Sequence, residues 1–495
     1  MTSPGVHSSR PLPALTLETA VPNTMGGLLE QLALALDRQG IRYCQWKGHW
    51  SAHRWSRGYG DVDLLVDHGA IAGFHAVAEQ LGFKLALPAG ARQIPSVEHY
   101  LGFDPLVPRL LHLQVRYRLL LGEYWTRIYR IPVEHQILTE SVRGQLFLVP
   151  SPTHAFLIFV LRMMLRQVGR PLLSARARWL SGIRVPLASL EAAGNAAELA
   201  RLLDQHLSPV DLTFFERCVR TLDGQSDRLD RLVLPWQLHL KLRAHMRRPP
   251  VRSMITAVIH KLLPRQLATG MADPRMRLSG GGLVVALIGG DASGKSTCSR
   301  ELQSWLASEC PTMRADLGNP PMSLLTLLVG AALKLQRGGG RWLRRSTRSG
   351  SFLELLRELC TARDRYRLYQ RVRRFAAAGG IALCERYPVR REEVHVAPGV
   401  PKLLHPHAPG FVRVVRQAEA SYCSRILAPD VSFVLKLDPE LATLRTPQKP
   451  PEDVRERSRI IWETDWSATG AHLVDASQPL PDVLRQLKTA IWSMC

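Results

Sequence analysis

The chain has 495 residues, too many for one ordinary domain, and 46% of them are hydrophobic, enough for two or three units that each bury a core. Lysine and arginine number 65 against 42 acidic residues; the net charge of +23 excludes an acidic, self-solvating chain and favours anionic partners, namely a nucleotide or phosphorylated small molecule, nucleic acid, or an anionic membrane surface. Eight cysteines with no CxxC pair argue against a zinc site or a disulfide framework, and no apolar run reaches membrane-span length, so the expected compartment is cytoplasmic.

Residues 1–24 carry Pro, Ser and Thr without an apolar core and read as a disordered tail. A mixed α/β unit is expected over 25–150. Leucines between Gly26 and Gln39 recur at helical spacing, and Arg42 to Trp46 reads as a short strand. Lys47-Gly48-His49-Trp50 follows, then the alternating run Asp61 to Val66. That alternation sets Asp61 and Asp63 on one face of a strand, where two carboxylates can share a divalent cation. Ala70 to Leu81 supplies a helix and Leu110 to Val115 a further strand.

The order Lys-Gly, Gly-Asp-x-Asp-Leu-Leu-Val, helix, Gly82-Phe83 over residues 40–120 resembles the nucleotidyltransferase superfamily of the DNA polymerase β type. The resemblance implies that Asp61 and Asp63 hold Mg²⁺ for nucleotidyl transfer. Two positions depart from the pattern: His49 follows the glycine where a small residue is usual, and His112 or Gln114 stands where a third carboxylate is expected. Live transfer and a fold that only binds a ligand therefore both remain open.

Residues 151–270 read as a helical connector, with periodic stretches at His154 to Gln167, Leu187 to His206 and Asp211 to Leu222. Its end, Trp236 to Arg265, is basic and is split by Pro249-Pro250. Residues 264–282, with two prolines and Ser-Gly-Gly-Gly, look like an interdomain hinge leading into a unit over 271–495.

That unit begins with Leu283 to Ile288, an apolar β-branched run suited to a strand buried on both faces of a parallel sheet. Gly289, four residues, then Gly294-Lys295-Ser296 form the GxxxxGK[ST] pattern, and Glu301, Leu302, Trp305 and Leu306 continue at helical spacing. Glycines let the backbone turn its N–H groups onto phosphate oxygens at the positive end of a helix. Gly289, Gly290, Ala292, Ser293, Gly294, Lys295, Ser296 and Thr297 are thus expected to cradle the phosphates of ATP. Lys295 would bridge the β- and γ-phosphates and the Ser296 hydroxyl would ligate Mg²⁺.

Further on, Leu353 to Phe375 is helical and carries Asp364-Arg365, and the strand Ile381 to Cys384 delivers Glu385-Arg386-Tyr387. The loop Gly-x-Asp-x-x-Gly-Lys-Ser-Thr, this helix and this strand end together resemble thymidylate kinase and its relatives over about residues 283–495. The resemblance implies a P-loop kinase with a parallel sheet flanked by helices, moving the ATP γ-phosphoryl to a nucleoside monophosphate. Glu385 would place Mg²⁺ or its water. Arg365 and Arg386, beside Tyr387, would hold the acceptor phosphate, and Asp291 would lie near the acceptor. Relatives without an arginine in the loop draw one from a lid, which points to Arg445, Lys449, Arg455 and Arg459, with Arg445 and Arg455 as the catalytic candidates.

Leu317-Gly318-Asn319-Pro320-Pro321 replaces the Glu-Pro-Gly-Gly-Thr segment of true thymidylate kinases. The acceptor stays open between a nucleoside monophosphate and a sugar phosphate or glycan precursor, beside a non-catalytic nucleotide-binding reading. A homodimer is compatible with all three.

Overall fold

A computed structural model describes residues 27–49, 52–88, 94–122, 129–166, 176–246, 275–339, 352–388 and 410–495. The tail 1–24, the part of the basic segment from residue 247 on with Pro249-Pro250, and the arginine cluster beyond residue 340 lie outside them. Among the described residues, two sheets organise an α/β chain, and no helix is long and apolar enough to cross a membrane.

The first sheet is mixed. Its order is Tyr43–Lys47, Asp61–Val66, Leu111–Arg116, Val97–Gly102, Lys84–Leu87 and Arg277–Leu278, with only Asp61–Val66 and Leu111–Arg116 parallel. Leucines of the helix Leu28–Arg38 and Phe74 and Val77 of Ile71–Gln80 cover one face. The last strand corrects the hinge expectation: Arg277 and Leu278 pair with Leu87 and Ala86, so this stretch closes the edge of the first sheet before the chain enters the second.

The connector is fused to this unit. Helix Pro152–Leu165 is buried along nearly its whole length and shares a core with Cys44, Trp46 and Leu65 of the first sheet and with Leu203, Phe215 and Leu238 of later helices. An all-round apolar helix of this kind belongs in an interior. The periodic stretch read across Leu187 to His206 is two helices, Arg176–Ala193 and Ala196–Leu207. Asn195 separates them by accepting the Ala197 and Glu198 N–H groups on its side chain.

The second sheet is wholly parallel, ordered Thr312–Asp316, Ile381–Glu385, Val284–Gly289, Val431–Lys436 and His472–Asp475. Alternation on its central strand divides the core. Val285 and Leu287 face Leu302, Leu306, Leu487 and Ile491, while Val284 and Ala286 face Leu368, Tyr369 and Val372. Both faces are covered, as a parallel sheet requires.

The two sheets meet through the back of the phosphate-loop helix. Phe103 packs edge-on to Trp305 at 5.2 Å, and Trp492 Nε1 donates to the Gly82 carbonyl at 3.0 Å. Gly282, at the entrance to the central strand, has no room for a side chain: a Cβ there would lie 1.8 Å from the Gly380 carbonyl oxygen. Gly282→Ala must push two backbones apart. It is expected to destabilise the protein by about 2–3 kcal/mol, read as a thermal transition lowered by several degrees.

Candidate active site

The central strand ends at Gly289 and the helix starts at Lys295, so the intervening turn must reverse direction within five residues. It does so with Ala292 at φ +58° and Gly294 at φ +83°, left-handed conformations that cost a residue with a Cβ more than a glycine. The Ser293 hydroxyl ties the turn by donating to the Gly290 carbonyl at 2.9 Å. Lys295 folds back over it, Nζ donating to Gly289 O at 2.9 Å, to Gly290 O and to Ser293 Oγ.

Burial pushes the Lys295 ammonium down to about 8, a shift that the Asp291 carboxylate opposes and Arg386 reinforces. A triphosphate arriving here would restore the charged form. Above about pH 8, binding of ATP is therefore expected to take up a proton and to weaken as pH rises, whereas below about pH 7 it should be pH-independent at this residue. Calorimetry in buffers of different ionisation heat would show this; absence of proton uptake at about pH 9 would contradict it.

Next to the lysine, Ser296 Oγ donates to Glu385 Oε2 at 2.6 Å, and Arg314 donates to Glu385 Oε1 at 2.9 Å. Burial alone would raise the Glu385 carboxyl. The Ser296 and Arg314 hydrogen bonds outweigh it and hold the group below the usual carboxylate range. A hydroxyl beside an ionised carboxylate is a hard oxygen pair of the kind that holds Mg²⁺ through one direct ligand and one water. The residues fit that ion.

The opposite wall is cationic. A cavity of about 1030 Å³ is lined by the loop from Gly289 to Thr297 and, across from it, by Arg386, Arg445, Lys449 and Arg457. Arg386 follows the strand at φ +53° with a guanidinium nitrogen 3.2 Å from Asp316. Arg445 donates to the Ala476 carbonyl at 3.0 Å, and Lys449 and Arg457 lie 3.3 and 3.5 Å from Asp291.

Not every expected residue reaches this cavity. Arg455 turns outward and grips both Glu440 oxygens, at 2.6 and 3.0 Å, and Arg459 pairs with Glu456 and Glu463 on the same helix. Arg457 takes the place on the cavity wall that sequence reasoning gave to Arg455. Helix Pro451–Glu463 buries Val454, Ser458 and Ile461, and a Cβ at Gly290 would lie 2.9 Å from Ser458 Cα, so this face presses on the loop. The spacing of Val454 and Ile461 around a small Ser458 was the available signal; Arg457 flanks that stripe. Arg365 is buried and donates from Nε to the Leu317 carbonyl at 2.7 Å, fastening the segment that carries Gly318 and Asn319 instead of lining the cavity. Tyr387 does line it, but its hydroxyl is committed to the Leu427 carbonyl at 2.7 Å. Asp291, expected near the acceptor, faces Lys449 and Arg457 instead.

The paired aspartates of the first sheet are differently placed. Register sets Asp61 beside His112 and Asp63 beside Gln114. His112 Nδ1 lies 2.8 Å from Asp61 Oδ1 and its Nε2 is 3.0 Å from His99 Nδ1, while Lys47 Nζ lies 2.7 Å from Asp63 Oδ2. Burial would raise the Asp61 carboxyl, but the His112 hydrogen bond prevails and draws it down to about 2. Each of these contacts engages one carboxylate oxygen: Asp63 Oδ1 is buried without a hydrogen-bond partner, and a third carboxylate, Glu309, lies 3.9 Å from His112 Nδ1.

No protein-family model matches the chain, and no curated protein does either.

Proposed function

We propose that the C-terminal unit is a thymidylate kinase-like phosphotransferase that moves the γ-phosphoryl of ATP to a nucleoside monophosphate. The observation that carries this reading is the single cavity with a lysine-bearing phosphate loop on one wall and three arginines and a lysine on the other. Two anions can approach each other only if cations surround both, and planar guanidinium groups grip phosphate oxygens in pairs.

In this account the loop N–H groups and Lys295 hold the β- and γ-phosphates, and Arg386 draws the acceptor phosphate toward them. An acceptor phosphate oxygen attacks Pγ as the bond to the β–γ bridging oxygen breaks, and that oxygen leaves with ADP; no covalent enzyme intermediate forms. Arg445, Lys449 and Arg457 neutralise the equatorial oxygens as the transfer proceeds. Ser296 and Glu385 would hold Mg²⁺, which would supply further neutralisation of the phosphate charge. On arrival of a substrate, Lys449 and Arg457 would exchange the Asp291 carboxylate for phosphate oxygens.

The N-terminal unit is read as a nucleotidyltransferase-like fold that binds without transferring, because Lys47 and His112 each hold one oxygen of the aspartate pair and the strand Leu111–Arg116 carries no carboxylate. Eight free cysteines, six of them buried, accord with a cytoplasmic setting. A panel of nucleoside monophosphates and sugar phosphates offered with MgATP, scored by ADP released, tests the assignment. ADP formation with nucleoside monophosphates supports it, stimulation by sugar phosphates alone moves the acceptor class, and MgATP binding without any acceptor-dependent ADP replaces the enzyme with a binding module.

A further inference from the structure

Away from both sites, three helix ends converge where the connector meets the first α/β unit. Glu140 caps the helix Glu134–Thr139, while His154 and Glu198 lie in the first turns of Pro152–Leu165 and Ala196–Leu207. One ligand atom of each lies within 4.8 Å of the other two. His154 Nδ1 is 3.6 Å from a Glu140 oxygen and 3.9 Å from a Glu198 oxygen.

The electrostatics are unbalanced. His154 is fully buried, Glu198 is partly buried, and among the described residues neither carboxylate has a lysine or arginine within 4.0 Å. Two carboxylates converging on one buried ring repel each other unless a cation stands between them. Glu198 is also braced from behind. Thr153 Oγ1 donates to its Oε2 at 2.7 Å while accepting the Asn195 N–H at 3.1 Å, which leaves Oε1 directed at the imidazole. Metal-binding carboxylates are commonly oriented by such outer hydrogen bonds.

We propose that Glu140, His154 and Glu198 bind a divalent transition-metal ion of the Zn²⁺ type, clasping the start of the connector to the first α/β unit. One imidazole nitrogen with two carboxylate oxygens suits such an ion, whereas Mg²⁺ and Ca²⁺ prefer oxygen alone and more ligands. Bonds of about 2.0–2.2 Å place tetrahedral ligands roughly 3.3–3.5 Å apart, so the two separations from His154 need to close by about half an ångström or less, and the two carboxylate oxygens, within 4.8 Å of each other, must draw together with them. The exposed Glu140 side chain has the freedom to do this. Ser151 Oγ now lies 2.8 Å from His154 Nδ1, and the ion takes over that lone pair; the hydroxyl keeps its capping bond from the His154 N–H. Water fills the fourth position. None of these residues lines the phosphate-loop cavity, so the clasp stands or falls independently of the kinase reading.

The test uses the full-length protein stripped by chelator and titrated with Co²⁺ and then Zn²⁺. One equivalent of Co²⁺ should bind with the visible absorption of a tetrahedral site, be displaced by Zn²⁺, and raise the thermal transition. Glu140→Gln removes a ligand at an exposed position without threatening the fold and should weaken affinity at least about 100-fold; Glu198→Gln should do the same. Absence of a one-equivalent site overturns the proposal. So does binding that is unchanged in Glu140→Gln and Glu198→Gln, which would assign the ion to cysteines or scattered histidines.

Discussion

Lys295→Ala should lower acceptor-dependent ADP formation by at least about a thousandfold while leaving the thermal transition near that of the parent protein. The magnitude follows from what a preorganised cation contributes at a transferring phosphoryl group. A single oxyanion donor removed from an enzyme costs about 10²–10³ in kcat, and a cation acting on the transferring phosphoryl group contributes about 10³–10⁵. Lys295 sits over the loop in contact with the Gly289 and Gly290 carbonyls, so no other side chain occupies its place. Its removal leaves the loop turn intact, since Ser293 Oγ still ties Gly290. Turnover within tenfold of the parent would mean that the triphosphate binds elsewhere.

The second large effect separates two arginines two residues apart. Arg457→Ala is expected to lower kcat by about 10²–10³ with a smaller change in KM, because its neutralising charge matters most in the transition state. Arg455→Ala should stay within about twofold, since that side chain is held by Glu440 on the exposed side of the lid helix. Steady-state kinetics on the two variants, with Arg445→Ala as a cavity-lining companion, decide the matter. Equal losses at positions 455 and 457 would show that the lid rearranges so far on binding that the present cavity wall does not describe the working state.

These two residues also mark where sequence reading stops. The phosphate loop is legible because all its information is local: glycine spacing, a preceding apolar strand and a following helix occupy one short stretch, and the structure places each as expected. The strand Asp61–Val66 is legible for the same reason, although every residue after Asp61 is buried and the expected alternation does not show in its exposure. Which way Arg455 and Arg457 point is not local. It depends on Val454 and Ile461 docking that helix onto the loop through contacts the primary sequence does not rank. The partners of Asp61 and Asp63 are likewise set by strand register with residues some fifty positions away and by Lys47 on the neighbouring strand. Arg277–Leu278 exists as a strand only because an edge of the first sheet awaits it; two residues carry no periodicity of their own.

The central claim is that one cavity holds a triphosphate and a second phosphate facing it. It is tested most directly by equilibrium titration with two nucleosides joined through five phosphates, which spans both walls at once. If both anion sites share the cavity, the linked compound gains from being held twice and should bind at least about a hundredfold more tightly than ATP, with the advantage lost in Arg386→Ala. Affinity no greater than that of ATP itself would contradict the account.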